Sequence, residues 1–333
     1  MTARRLRMGS LKYDQFTGIT EGRVRIPGAE IEHTVATIAT DIFEPMMKRQ
    51  EFDIAELGFT YYLRSLDLDD PPFIALPVFP ARAFRHSAIY INTNSDIHGP
   101  EDLAGKTIGE FVTYGHDGGV WAKGFLADEF GVTPNQSRWI TGGLDRPMPP
   151  LDYIPFLHPD DVEVTPAGPG VDLGSLLECG QIDALISGNV PLPMRDGSPH
   201  VDRLFPNFKH VERDWFTRTG IFPIAHVMVV KRTLLADDPD LVHRLYNGFV
   251  ASKALARQGQ ELGRITNFVD LMIPWINDLV QDNQRVCDQD WWAYGIGANR
   301  HTIDTFLRYH FEQGLSRRRW TDAEIFAPEL LRT

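Results

Sequence analysis

Two stretches set far apart in the chain constrain its fold more than any other feature. FRHSAIYIN, Phe84 to Asn92, puts a guanidinium, Arg85, beside an imidazole, His86, ahead of an apolar run. GIFPIAHVMVV, from Gly220, answers it with His226 ahead of another. Short apolar runs of this kind suit strands buried along most of their length. A polar head at one end must then lie where solvent or a ligand can reach it. Both stretches read as strands that cross between two lobes, with their polar heads in the cleft.

The remainder of the chain can supply those lobes. Its 333 residues suffice for two domains, and 43% apolar with 23% charged residues is the make-up of an ordinary globular protein. A net charge of −12 gives no global field that would draw nucleic acid or an anionic membrane. An acidic protein that handles an anion must therefore concentrate its positive charge locally, which gives each clustered arginine weight. Cys179 and Cys287 are the only cysteines; so far apart, they fit neither a disulfide framework nor zinc-ligand spacing. The basic N-terminus lacks an apolar segment behind it, and no run of about 18 apolar residues occurs. The expected compartment is the cytoplasm.

Strand and helix patterns alternate along the first two thirds. LRMGSL, GAEIEHTVA, FDIAELGF, PFIALPVFP, TIGEF and DALISG read as strands. Helices are expected in IFEPMMKRQ behind Asp41, in TYYLRSL, in the segment ending at Gly131 and in DLGSLLE. From Lys231 the chain reads as mostly helical, through DPDLVHRLYNGFVASKALA and TNFVDLMIPWINDLV to an aromatic tail with Trp291, Trp292 and Trp320. That tail is expected to pack the C-terminal helices or to form a contact in a homo-oligomer. Alternation of this kind argues for α/β layers with largely parallel pairing. In such sheets ligands bind beyond the carboxyl ends of the strands, beside helix N-termini. Four such turns carry polar residues: Lys12-Tyr13, Glu56 to Thr60 with Gly58 opening a helix, Tyr114 to Asp117, and Gly188-Asn189.

FDIAELGFTYYL, RAFRHSAIYIN, GPEDLAGKTIGEF, VWAKGFLADEFGV with WITGG after it, IDALISGNVP and GIFPIAHVMVV occur in that order between about residue 6 and residue 232. In these segments the chain resembles the 4,5-dihydroxyphthalate decarboxylase family. The resemblance implies a two-lobed type 2 periplasmic-binding-protein fold, with two crossing strands and a helical C-terminal part. Residues 1–90 and 226–333 would then form one lobe and residues 91–225 the other. It also implies non-oxidative loss of carbon dioxide from a dihydroxylated aromatic acid, 4,5-dihydroxyphthalate or a close analogue. One turn departs from the family pattern: ahead of Val120-Trp121, where a threonine and an alanine are expected, the chain reads His116-Asp117-Gly118-Gly119. The same fold also serves solute-binding proteins, so a receptor for a small anionic aromatic acid is the alternative reading.

Decarboxylating an electron-rich hydroxybenzoate requires a proton delivered to the ring carbon that bears the carboxylate. The site then needs a cation for carboxylate, an acceptor for the phenol and an acid aimed at that carbon. Arg85, with Arg82 as a second candidate, is expected to hold carboxylate. His86 and His226 are expected to be the acid and the phenol-side base. Lys12, Tyr13, Glu56, Gly58, Tyr114, His116, Asp117 and Asn189 are expected to line the substrate. Each has a plainer alternative. Arg82 can be a surface ion pair, His226 a hydrogen-bonded core histidine, Glu56 a helix cap and the tyrosines a wall. Most other histidines, His33 among them, are expected in solvent. No motif implies a flavin, pyridoxal phosphate or a metal, and Ser87 and Ser187 lack the glycine-flanked turn of a nucleophile.

Overall fold

A computed structural model of the protein describes residues 3–155, 157–266, 272–287 and 290–333. Two sheets organise it. The first is five-stranded, in the order β2-β1-β3-β11-β4. It takes β1 (Arg4–Leu11), β2 (Ala29–Ala36), β3 (Ile54–Gly58) and β4 (Phe73–Leu76) from the start of the chain and β11 (His226–Lys231) from much later. The second is six-stranded, in the order β10-β5-β9-β6-β7-β8. Its strands are β5 (Ile89–Asn92), β6 (Thr107–Phe111), β7 (Arg138–Gly142), β8 (Val164–Pro166), β9 (Ala184–Ile186) and β10 (Val201–Arg203). The strands expected from LRMGSL, GAEIEHTVA, FDIAELGF, PFIALPVFP, TIGEF and DALISG all form.

β5 and β11 are the strands that arrive from the other lobe, and each runs antiparallel to its neighbours. β11 is antiparallel to β3 and β4, and β5 is antiparallel to β9 and β10. Reversal puts the amino end of each arriving strand level with the carboxyl ends of the strands beside it. His226, the first residue of β11, pairs with Gly58, the last of β3. Ile89, the first of β5, pairs with Ile186, the last of β9. Residues just ahead of β5 and β11 are therefore delivered to the edge where strand-to-helix turns gather.

The connecting segments pair with one another. Arg82 bridges Ile224 antiparallel, and backbone bonds join Ala83 to Pro223 and Ala225 to Ala81. The strand expected from Phe84 starts five residues later. Arg85 turns the chain at φ −124°, ψ 0°, and His86–Ala88 forms one 3-10 turn before β5. The Ser87 N–H that a ladder would have used donates instead to Glu212 Oε1, at 2.9 Å.

The helices expected behind Asp41, Gly58 and His116 form as Thr40–Arg49, Phe59–Ser65 and Asp117–Phe130. A long helix, Leu241–Thr266, packs on the first sheet's side through Leu241, Val242, Leu245 and Phe249. Part of the helix expected from TNFVDLMIPWINDLV falls outside the described residues, and Ile276–Val286 is helical. The C-terminal segment serves both lobes rather than the first alone. Phe306, on helix Arg300–Glu312, stacks on Phe59 at 4.8 Å and tilts against Trp121 at 5.4 Å. Gly124 leaves the room that the Tyr309 ring fills. Aromatic packing of this kind ties the two lobes beneath the cleft.

Candidate functional site

Glu56 lies on β3 and is fully buried, so its charge has to be met by partners. Oε2 accepts the Leu11 N–H at 2.8 Å, and Oε1 accepts the Tyr13 hydroxyl at 2.6 Å. Oε1 also meets His226 Nδ1 at 2.5 Å. Burial alone would lower the His226 pKa; the bond to Glu56 and the charges of Glu56 and Asp117 outweigh it and raise the pKa above that of an ordinary histidine. Burial, then Glu56, push the Tyr13 phenol up, so it remains a neutral donor. With Nδ1 held, Nε2 is the free end of the ring, and the His226 side chain keeps 17% of its surface open. Phe43 meets this ring edge-on at 5.2 Å.

A second pair stands in the other lobe. Glu110, on β6, is fully buried, accepts the Gly115 N–H at 2.8 Å and meets His116 Nδ1 at 3.2 Å. Its Oε2 takes the Lys123 ammonium at 2.5 Å. His116 is the N-cap position of the helix Asp117–Phe130, and its Nε2 is buried without a partner among the described residues. The two glycines that set this turn apart are both required by close approach. A Cβ on Gly119 would collide with Glu110 Oε1, and one on Gly118 would lie 2.9 Å from His116 Nε2 and 3.4 Å from the Arg85 guanidinium carbon.

Arg85 and Asp117 lie between these pairs. Asp117 Oδ1 accepts the Thr60 N–H at 2.8 Å, so the first residue of a second-lobe helix caps the N-terminus of a first-lobe helix. Its Oδ2 fills the space a Cβ on Gly58 would need. Burial holds the Asp117 carboxyl above the usual range against the opposing pull of His226, the Thr60 N–H, His116 and Arg85. Arg85 is half-buried, with Gly188 leaving room beside Nη1, where a Cβ would stand 2.9 Å away. Burial lowers its pKa while Asp117 and Glu212 pull the other way. Its Nε is buried without a partner, and no acid among the described residues is ion-paired with the guanidinium. Of the residues expected in the site, the structure gathers Arg85, His226, Glu56, Tyr13, Gly58, His116 and Asp117.

The other expected residues have different surroundings. His86 turns away from Arg85 into an apolar pocket, stacked on Phe125 at 4.1 Å, with Phe205 and Trp215 edge-on. Both its nitrogens are buried without partners, and burial lowers its pKa to about 4. The reason is local: the 3-10 turn after Arg85 sends successive side chains to different sides. Arg82 bonds the Phe222 and Ala293 carbonyls and Asn299 Oδ1, which fixes the crossing segment to the C-terminal part. Tyr114 packs against Trp139 and His158 beneath the second lobe's pair. Lys12 and Asn189 are exposed at the ends of their strands. Glu110 and Lys123 were not among the expected residues. Their signal was present: a lone acid in the apolar strand TIGEF and a lone lysine in the apolar run VWAKGF. His33, expected in solvent, is half-buried and bonds Ser10 at 2.8 Å. Among the described residues no three His, Cys, Asp or Glu side chains converge as a metal site would require.

No family model matches the chain. It is 34% identical over 321 residues to the 4,5-dihydroxyphthalate decarboxylase of Comamonas testosteroni, across 96% of this chain and 95% of that one. The chain belongs to the 4,5-dihydroxyphthalate decarboxylase family. Another member, from Pseudomonas putida, is 31% identical over 204 residues, 61% of this chain and 78% of that one. Among solved structures, the periplasmic aliphatic sulphonate-binding protein SsuA from Escherichia coli aligns over 100% of both chains, with a TM-score of 0.53 and 12% identity. The sulfonate-binding protein SsuA from Methylobacillus flagellatus aligns over 99% of this chain and 93% of that one, with a TM-score of 0.52 and 14% identity. These likenesses establish the two-lobed periplasmic-binding-protein-like fold for this member of the decarboxylase family.

Proposed function

We propose that the protein is a carboxy-lyase that removes carbon dioxide from 4,5-dihydroxyphthalate or a close dihydroxylated analogue, without an oxidant. The observation that carries this reading is the unpaired Arg85 guanidinium between two glutamate-held histidines. A cation left without an acid over a cleft is a seat for a substrate carboxylate, and its planar fork suits that group.

In this reading His116 Nε2 accepts the proton of a ring hydroxyl para to the leaving carboxylate. The electron pair released to the ring makes the carboxylate-bearing carbon basic. His226 delivers its Nε2 proton to that carbon, and Glu56 holds the imidazolium in place until it does. The bond from ring to carboxylate breaks, carbon dioxide leaves, and its electron pair restores the aromatic ring. The phenolate regains its proton from His116. One proton is consumed per turnover, and solvent returns it to His226 when the cleft opens. Arg85 holds the carboxylate that stays, and Asp117 orients the guanidinium.

The test is to incubate the protein with 4,5-dihydroxyphthalate and follow carbon dioxide together with 3,4-dihydroxybenzoate. Release of the two in equal amounts is expected. A tightly bound, unreacted aromatic acid would overturn the enzyme reading in favour of a solute-binding protein. No helix among the described residues is long and apolar enough to cross a membrane.

A further inference from the structure

The two glutamates beneath the histidines are met by different countercharges. Around Glu56, the Leu11 N–H and the Tyr13 hydroxyl are neutral donors, and among the described residues His226 is the one group in contact that can carry a positive charge. Around Glu110, Lys123 is present as well, at 2.5 Å. Lys123 is only 2% exposed. Its ammonium lies 3.9 Å from the ring centre of Tyr114 and 4.7 Å from that of Trp139, an aromatic seat that favours the cation. A buried lysine and glutamate are a poor investment for stability, since apolar residues of the same volume commonly serve as well. Their place directly under an imidazole whose outer nitrogen has no partner calls for a different account.

We propose that Lys123 decides which of the two histidines is the base: it neutralises Glu110, so His116 keeps its Nε2 lone pair for the substrate hydroxyl. Glu56 has no such lysine, so His226 carries the countercharge and stands ready as the acid. Lys123 is thus a positioning residue that acts through Glu110 and never touches substrate. Its role as set out here rests on the decarboxylase reading; the charge carried by His116 does not.

The charged and titratable groups around this pair come from several elements. Arg64, on the helix Phe59–Ser65, bonds the Tyr114 and Gly115 carbonyls rather than Glu110. Asp117 and Arg85 face His116 from the cleft side, and Tyr114 with Asp161 lines a cavity of about 370 Å³ that Lys123 reaches on the outer side. Burial lowers the Lys123 pKa to about 8, against the pull of Glu110. The arrangement is therefore intact at neutral pH and is lost as Lys123 gives up its proton.

Nitrogen–proton spectra of the histidine-labelled wild-type protein at pH 7 test the charge directly. His116 is expected as a neutral ring with its proton on Nδ1, and His226 as a doubly protonated ring; a doubly protonated His116 overturns the proposal. In Lys123→Met, the unpaired Glu110 charge should draw a proton onto His116 and lower kcat about 100-fold, the range expected for loss of a general base. Adding Glu110→Gln removes that charge, and the double variant should recover at least about tenfold over Lys123→Met. A purely structural pair would also recover in the double variant, since the stranded buried charge is gone, so the deciding readout is the His116 ring: a His116 that stays neutral in folded Lys123→Met sinks the proposal. The wild-type spectrum keeps the idea testable where Lys123→Met fails to fold. Absence of turnover in every form, with His116 neutral, removes the decarboxylase reading and leaves the charge assignment standing.

Discussion

Each lobe contributes a buried strand whose glutamate meets a histidine through Nδ1, and Asp117 has both histidines and Arg85 among its charged neighbours. Glu56 and His226 form one pair and Glu110 and His116 the other. Their geometry is alike, but their surroundings are not. Glu56 is met by neutral donors, so its histidine is drawn toward the charged state. Glu110 has Lys123 as well. On the proposal above, one motif used twice yields an acid and a base, and what separates the roles is the third group on the carboxylate, not the imidazole.

The sharpest break of that comparison is His226→Gln. Glutamine can still bond Glu56 but has no proton to give to carbon, so kcat should fall by about 1,000-fold, within the range for loss of a general acid. The wild-type fall in kcat toward high pH should vanish from the residual rate. Turnover within tenfold of wild type in this variant would refute the role given to His226. Arg85→Ala should come next. Leaving a substrate carboxylate without its cation costs about 2–5 kcal/mol, or roughly 30- to several thousand-fold in kcat/KM. Most of that should appear in KM, and an unchanged KM for the aromatic acid would place the carboxylate elsewhere.

A smaller effect sharpens the pH side. In the proposed mechanism His226 acts while protonated, and its pKa is raised in the folded protein. Activity should therefore be full below that raised value and fall as pH rises through it. Glu56→Gln removes the charge that raises it, so the falling limb should move toward the ordinary histidine value of about 6.5. Above the raised value Glu56→Gln should therefore be the slower enzyme, and well below about 6.5 the two should run alike. A limb that stays in place would mean that another group sets it.

Much of this was legible in the residues, and the misses share a cause. β1, β3, β4, β6 and β9 were readable because strands buried on both faces form short apolar runs bounded by turns. That His226, Glu56, Tyr13 and Asp117 lie near one another was readable because polar residues at such turns gather at one edge of a sheet. His86 was misplaced because an Arg-His pair was read as one strand end, whereas the chain turns between them, and one turn of 3-10 helix separates a cleft from a core. Arg82 shows the opposite limit: its partners are the Phe222 and Ala293 carbonyls and Asn299, which no local pattern links to residue 82. Glu110 and Lys123 look like isolated polar residues in apolar segments until the fold joins β6 to the helix behind it. Such a pairing is a property of packing, and sequence spacing alone does not select it.

His86 supplies the control for both pairs, being a histidine with no glutamate at all. Stacked on Phe125 with both nitrogens unpartnered, it stays neutral in the folded state, where burial lowers its pKa to about 4. The unfolded chain takes up a proton at this position below about 6.5, so folding stability should decline as pH falls from there and level off near 4. The loss attributable to this one side chain is about 2 kcal/mol at pH 5 and on the order of 3 kcal/mol at pH 4. His226 runs the other way: its stabilising pairing with Glu56 is complete below about 6.5 and fades as pH rises through its raised value. His86→Phe keeps the stack and removes the titration, so kcat at pH 7 should stay within about twofold of wild type while urea midpoints between pH 7 and pH 5 become less pH-dependent. A large loss of turnover in His86→Phe would return that residue to the chemistry and dissolve the contrast between a histidine held by a carboxylate and one held by rings.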